Sequence, residues 1–81
     1  MQVRVHFYSY FKELTAVAET TETLEPGARI SDLLAGLLAR FPQLRPMRRS
    51  MLVAVGVDYQ GADYALKEGD EVSLFPPVQG G

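Results

Sequence analysis

Hydrophobic and polar residues alternate over the first eight positions of the chain. Val3, Val5 and Phe7 would face one side of a β-strand, and the polar residues between them would face the other side. The one histidine of the chain, His6, falls on the polar side, where a histidine is more often solvated than a ligand or a base. The pattern therefore predicts a half-buried strand, followed by one helical turn that buries Phe11 and Leu14.

The strongest helical pattern lies between positions 30 and 41. Ser31 is the predicted N-cap, Arg40 lies near the negative end of the helix dipole, and Pro42 ends the helix. Apolar residues recur with the 3.6-residue period and would form one buried stripe, made of Ile30, Leu33, Leu34, Leu37, Leu38 and Phe41. A stripe of this kind is typical of a helix that packs on a sheet.

Four further strands are predicted. Residues 19–24 are rich in threonine and acids, as suits an edge strand, and residues 51–57 form an apolar run typical of a central strand buried on both faces. One short strand is expected within residues 58–65, in a hairpin around Gln60-Gly61, and residues 71–75 form the last strand. The segment between helix and central strand carries Arg45, Arg48 and Arg49 and is interpreted as a solvated loop, although an acid-facing contact surface is the alternative.

This order of elements predicts an α+β fold of the ubiquitin-like β-grasp type, with a mixed sheet of about five strands packed on one main helix. If the first and last strands pair at the sheet centre, they run parallel, because the helix between them supplies the crossover. Residues 1–75 would form the domain, and residues 76–81 an extended, flexible tail.

The functional site is predicted in the last residues of this sequence. Phe75 would face out of the sheet, and Pro76 and Pro77 would end strand pairing because they have no N–H to donate. Gly80 and Gly81 carry no side-chain bulk, and six residues reach about 20 Å from the sheet. Such a thin segment can carry a carboxylate into the active site of another protein, whereas the alternative is an ordinary frayed terminus.

Composition narrows the possible functions. The 81 residues are 47% hydrophobic and carry a net charge of −2, which indicates one small globular domain and argues against a general nucleic-acid binder. Because the sequence has no cysteine, it forms no disulfide, thiolate metal site or thiol nucleophile. No apolar run approaches the roughly 20 residues of a membrane span, and the N-terminus does not resemble a signal peptide, so a cytoplasmic protein is expected.

Four motifs are spread along nearly the whole chain: Phe11-Lys12-Glu13-Leu14, Leu52-Val53-Ala54-Val55, Leu66-Lys67-Glu68-Gly69-Asp70-Glu71-Val72 and Phe75-Pro76-Pro77-Val78-Gln79-Gly80-Gly81. With these motifs the sequence resembles the MoaD/ThiS family of sulfur-carrier proteins. The resemblance is closest to the molybdopterin branch, the small subunits of molybdopterin synthase, which the paired prolines favour. Lys12, Ala16 and Gly56 depart from the residues that are common in the family.

This resemblance implies a carrier of sulfur that is not an enzyme on its own and binds no cofactor. A MoeB-type enzyme would use ATP to adenylate Gly81, and sulfur from a sulfurtransferase would convert it into a thiocarboxylate. The large synthase subunit, of the MoaE type, would form a heterotetramer with the carrier and pass the sulfur to cyclic pyranopterin monophosphate. The thin tail residues Val78, Gln79 and Gly80 would then enter a channel of the partner, and Phe75, Pro76 and Pro77 would contact its surface.

Three other roles use the same features. The chain could carry sulfur for another pathway, such as thiamine synthesis or tRNA thiolation. It could be a ubiquitin-like modifier whose Gly81 is joined to lysines of target proteins, because both fates begin with an acyl-adenylate. It could also be a structural β-grasp module that undergoes neither reaction.

Overall fold

A computed structural model of the chain describes residues 1–77, so the predictions for Val78, Gln79, Gly80 and Gly81 lie outside the described residues. Five strands, two α-helices and one 3-10 helix follow one another along these residues. In chain order they are β1 (Gln2–Phe7), α1 (Phe11–Thr15), β2 (Glu19–Thr23), α2 (Ile30–Arg40), the 3-10 helix (Pro42–Met47), β3 (Leu52–Val55), β4 (Asp58–Tyr59) and β5 (Glu71–Phe75).

The strands form one mixed sheet in the order β2-β1-β5-β3-β4. β1 and β5 are parallel and pair Arg4 with Glu71 and Phe7 with Leu74. The other pairs, β1 with β2, β3 with β5 and β3 with β4, are antiparallel. This arrangement confirms the predicted β-grasp fold and places the last strand at the centre of the sheet.

The core lies between one face of the sheet and α2. Val3, Val5 and Phe7 of β1 are at most 1% exposed, as their alternation predicts. The helix contributes the predicted stripe, of which Ile30, Leu33, Leu34 and Leu37 are buried, while Leu38 and Phe41 are partly buried at its border. Phe7 meets Phe41 edge to face at a centroid distance of 5.4 Å, so the first strand is held against the C-terminal end of the helix.

The predicted N-cap of α2 was wrong. Arg29, not Ser31, is the N-cap residue, and its backbone N–H donates to Asp32 Oδ2 at 2.9 Å. The backbone N–H groups of Ile30 and Ser31 donate to the carbonyl oxygens of Tyr64 and Ala62, both at 3.0 Å. Because a distant loop satisfies these first N–H groups, the helix needs no hydroxyl cap at Ser31.

The predicted hairpin was also misplaced. β3 and β4 pair Val55 with Asp58, so the turn consists of Gly56 and Val57 and does not lie at Gln60-Gly61. Gly56 has a φ of +62°, a conformation that glycine adopts without the strain that a Cβ would add. β3 is consequently shorter than the apolar run and lies beside the central strand, with β4 at the edge.

The segment expected to be a loop contains the 3-10 helix. Its Leu44 is fully buried in the core, which explains why this stretch has a fixed structure. Arg45, Arg48 and Arg49 are exposed, as the solvated interpretation requires. None of the helices within residues 1–77 is long and apolar enough to cross a membrane.

Candidate functional site at the end of the central strand

β5 is the element that carries the C-terminal segment, and the sheet holds it on both sides. Val72 and Leu74 are fully buried on the helix side, and the strand pairs with β1 and β3 along its length. The last paired residue is Phe75, which lies opposite Leu52. Pairing therefore ends directly before Pro76 and Pro77, as their missing N–H groups predict.

Three aromatic side chains gather on the outer face of the sheet where β5 ends. Phe75 stacks on Tyr8 with a centroid distance of 4.8 Å and an interplanar angle of 11°. Tyr59 approaches the same ring edge to face at 6.3 Å and 73°. We call Tyr8, Tyr59 and Phe75 the exit cluster, because the chain leaves the sheet beside them.

The expectation of a freely exposed Phe75 requires a correction. Phe75 does face the outer side of the sheet, but it is half-buried because the two tyrosines cover it. The exposed aromatic surface belongs mainly to Tyr59 and Tyr8, which are 68% and 43% exposed. A partner that approaches the end of β5 therefore meets a preassembled aromatic surface, whose tyrosine hydroxyls add hydrogen-bonding groups at its border.

Tyr8 and Tyr59 were not among the predicted site residues. Tyr8 directly follows β1 and continues its alternation on the outer side of the sheet. The parallel pairing of Phe7 with Leu74 places Tyr8 beside Phe75. The signal for Tyr8 was present in the alternation of the first strand once the first and last strands are paired. The position of Tyr59 could not be predicted in this way, because it depends on the turn at Gly56, and the hairpin was predicted at Gln60-Gly61.

The other end of the outer face is polar. His6 Nε2 lies 2.6 Å from Glu71 Oε1, and His6 Nδ1 lies 3.5 Å from Glu19 Oε2. Arg4 adds a longer contact of 3.9 Å to Glu19. The imidazole is only 25% exposed and contacts two carboxylates, so the expectation of a solvated side chain requires correction. Strand pairing brings both carboxylates to it from distant parts of the sequence.

These polar side chains have a structural role. His6 connects β1 to Glu19 of β2 and to Glu71 of β5, so the contacts span three adjacent strands. Within residues 1–77, no three histidine, cysteine or acidic side chains are arranged so that they could hold a metal ion. Among residues 1–77, the candidate site therefore consists of the exit cluster and the two prolines, of which the sequence predicted Phe75, Pro76 and Pro77.

A sheet with parallel first and last strands, one main helix and a C-terminal segment presented from the central strand defines a ubiquitin-like β-grasp protein. The chain belongs to the ThiS family, whose model matches residues 5–81. A relative from Chlamydomonas reinhardtii is 36% identical over 83 residues, covers the whole of both chains and is named molybdopterin synthase sulfur carrier subunit.

Solved structures share the fold over nearly the entire chain. A Pyrococcus furiosus protein provisionally named molybdopterin converting factor, subunit 1, superposes with a TM-score of 0.88 at 30% identity and covers 96% of this chain and 99% of its own. The crystal structure of SAMP1 from Haloferax volcanii superposes with a TM-score of 0.87 at 22% identity over the whole of both chains. At that identity the second likeness shows the fold alone.

Proposed function

We propose that this protein is the sulfur carrier subunit of a molybdopterin synthase and that the carboxylate of Gly81 is the group that carries the sulfur. The observation with the most weight is the full-length likeness to the Chlamydomonas reinhardtii carrier subunit. The position of β5 supports it, because a central, fully paired strand gives the segment beyond Phe75 a fixed starting point. We place this activity in the cytoplasm.

The chemistry of a carboxylate explains why an activating partner is required. A carboxylate is ionised at neutral pH, and its oxygen is a poor leaving group. In the proposed first step a carboxylate oxygen of Gly81 attacks the α-phosphorus of ATP, and pyrophosphate leaves. A sulfur nucleophile at the oxidation level of sulfide then attacks the carbonyl carbon, and AMP departs with the original oxygen, which leaves a thiocarboxylate. If a sulfurtransferase persulfide is the nucleophile, the product is an acyl disulfide, and a thiol must reduce its S–S bond to release the thiocarboxylate.

The catalytic groups for these steps are proposed to belong to the partners. A MoeB-type enzyme would adenylate Gly81, and the large MoaE-type subunit would use the thiocarboxylate to convert cyclic pyranopterin monophosphate within a heterotetramer. Val78, Gln79 and Gly80 would enter the channel of each partner, while Phe75 and the two prolines would contact its surface. The chain itself has no cysteine on which sulfur could be held.

The proposal is tested by intact mass spectrometry after incubation with ATP, a MoeB-type enzyme and a sulfur source. The expected product is the chain with one oxygen replaced by sulfur, and the reaction without ATP is the control. Addition of the large subunit and cyclic pyranopterin monophosphate should consume this product and form molybdopterin. Covalent attachment to other proteins would indicate a modifier instead. An unchanged mass would contradict both roles, and thiocarboxylation without molybdopterin formation would point to another sulfur pathway.

Replacement of Phe75 by alanine should weaken partner binding while the domain stays folded. The substitution removes the ring that holds the two tyrosines of the exit cluster together. Aromatic anchors at interfaces often contribute about 2 kcal/mol or more, so calorimetry should show a Kd increased by roughly 30-fold for the activating enzyme and for the large subunit. The matched control is Val57→Ala, which removes an apolar side chain that is 96% exposed at the β3–β4 turn. Equal affinities for Phe75→Ala and the parent would exclude the exit cluster as an anchor.

A further inference from the structure

Within residues 1–77, the edge strand β2 has a neighbouring strand on one side only, so part of its backbone has no β-sheet partner there. At one end of the ladder between β2 and β1, the N–H of Leu24 donates to the carbonyl oxygen of Met1 at 2.7 Å. At the other end of this ladder, the N–H of Phe7 donates to the carbonyl oxygen of Ala18 at 2.8 Å. In an antiparallel ladder, alternate residues of a strand form backbone hydrogen bonds with the neighbouring strand. The other residues of β2 therefore direct their N–H and C=O groups away from β1. The residues with outward backbone groups are Glu19, Thr21 and Thr23.

One side chain from α2 covers the middle of this free edge. Arg40 Nη1 donates to the carbonyl oxygen of Thr21 at 3.3 Å, and its Nη2 donates to Thr20 Oγ1 at 2.9 Å. Arg40 Nη1 also forms an ion pair with Glu22, whose side chain is only 13% exposed. The guanidinium carbon lies 5.0 Å from the centroid of the Phe41 ring. Arg40 thus binds three consecutive residues of β2, including the central outward carbonyl group.

We infer that Arg40 prevents β2 from pairing with the β2 strand of a second copy of this chain. An antiparallel pair with its two-fold axis at Thr21 would place the two Thr21 residues opposite each other and Glu19 opposite Thr23. Both central hydrogen bonds of that pair need the carbonyl oxygen to which Arg40 donates. The guanidinium occupies one of the two lone pairs of that oxygen and lies at the strand edge, so it competes with both central bonds.

The rest of β2 is well suited to such a pair, so a specific obstacle is needed. Thr20 would lie opposite Glu22 of the second copy, and no two carboxylates would be direct neighbours across the new ladder. Three of the five residues are threonines, which favour extended strands.

The charge of Arg40 is a second obstacle to this pair. Two guanidinium groups would meet near the two-fold axis, and their like charges would repel each other. Charged side chains at sheet edges are a common means by which proteins avoid such association.

The test is the Arg40→Met variant. Methionine keeps an apolar stem beside Phe41 but removes the hydrogen bonds and the charge. We expect sedimentation equilibrium to show self-association at least about tenfold tighter than that of the parent protein. The amide N–H groups of Thr21 and Thr23 should exchange more slowly with solvent at high protein concentration. Arg45→Met, which removes an exposed arginine of the 3-10 helix, is the matched control and should associate like the parent.

Two further variants separate strand pairing from a loss of stability. The double variant Arg40→Met and Glu22→Gln also removes the carboxylate that would otherwise lose its partner. This double variant is used for the test if Arg40→Met alone does not fold. Thr21→Pro removes an N–H that points away from β1, so it leaves the native ladder intact but prevents addition of a strand. Arg40→Met with Thr21→Pro should therefore return to the association of the parent. The inference would be overturned if folded Arg40→Met associated no more tightly than the parent. It would also be overturned if the double variant with Thr21→Pro associated as tightly as Arg40→Met.

Discussion

One alanine added after Gly81 should reduce thiocarboxylate formation by at least about 100-fold, since a displacement of even 1 Å from the reacting position can cost that much. The added residue moves the free carboxylate beyond the adenylation site and turns the carboxylate of Gly81 into an amide. An amide oxygen is a much weaker nucleophile toward ATP. The measurement is intact mass after incubation with ATP, the activating enzyme and a sulfur source.

The control for this extension is an alanine added before Met1. The N-terminal nitrogen donates to the carbonyl oxygen of Leu24 at 2.7 Å, and the amide N–H formed by the extension can still donate to it. We expect both extended proteins to unfold within about 0.5 kcal/mol of the parent, as surface changes usually do. Full thiocarboxylation of the C-terminally extended protein, with the extra alanine still present, would disprove the role of Gly81.

Replacement of Leu74 by alanine should destabilise the domain by about 2–5 kcal/mol, the usual range for a buried leucine. Leu74 is fully buried, and its strand is bonded to β1 and β3, which limits the collapse of the cavity that the substitution leaves. A domain of this length has a total stability on the order of 4–12 kcal/mol, so the loss is a large part of it. Urea unfolding followed by circular dichroism measures the change.

Ser73→Ala is the matched control for this prediction. Ser73 lies on the same strand, faces the outer side of the sheet and pairs with Ala54 and His6. Its substitution should change stability by no more than about 0.5 kcal/mol. A similar loss in both variants would contradict the prediction, because the effect would then not depend on the burial of the Leu74 side chain.

The sequence predicted the features that depend on periodicity. The alternation of Val3, Val5 and Phe7 identified the buried face of β1, and the leucine stripe identified the buried face of α2. The parallel pairing of β1 with β5 followed from the order of the elements and the need for a crossover. These properties repeat over several residues, so one atypical position does not obscure them.

The features that the sequence missed depend on single contacts between distant segments. Ser31 looked like a cap because its loop partner, the carbonyl group of Ala62, cannot be seen from local sequence. The turn at Gly56 was hidden because Val57 extends the apolar run, although this side chain is 96% exposed. The carboxylates around His6 and the tyrosines around Phe75 likewise come together only through strand pairing.

The central position of β5 also has a consequence for synthesis. A ribosome makes the chain from its N-terminus, and β1 cannot acquire its parallel neighbour until the last described strand has been made. Contacts of such long sequence separation slow folding, because a large loop must close before they stabilise the chain. Until then, the edge of β1 and the apolar face of α2 are exposed to other unfinished chains. Folding of this domain must therefore await the translation of β5.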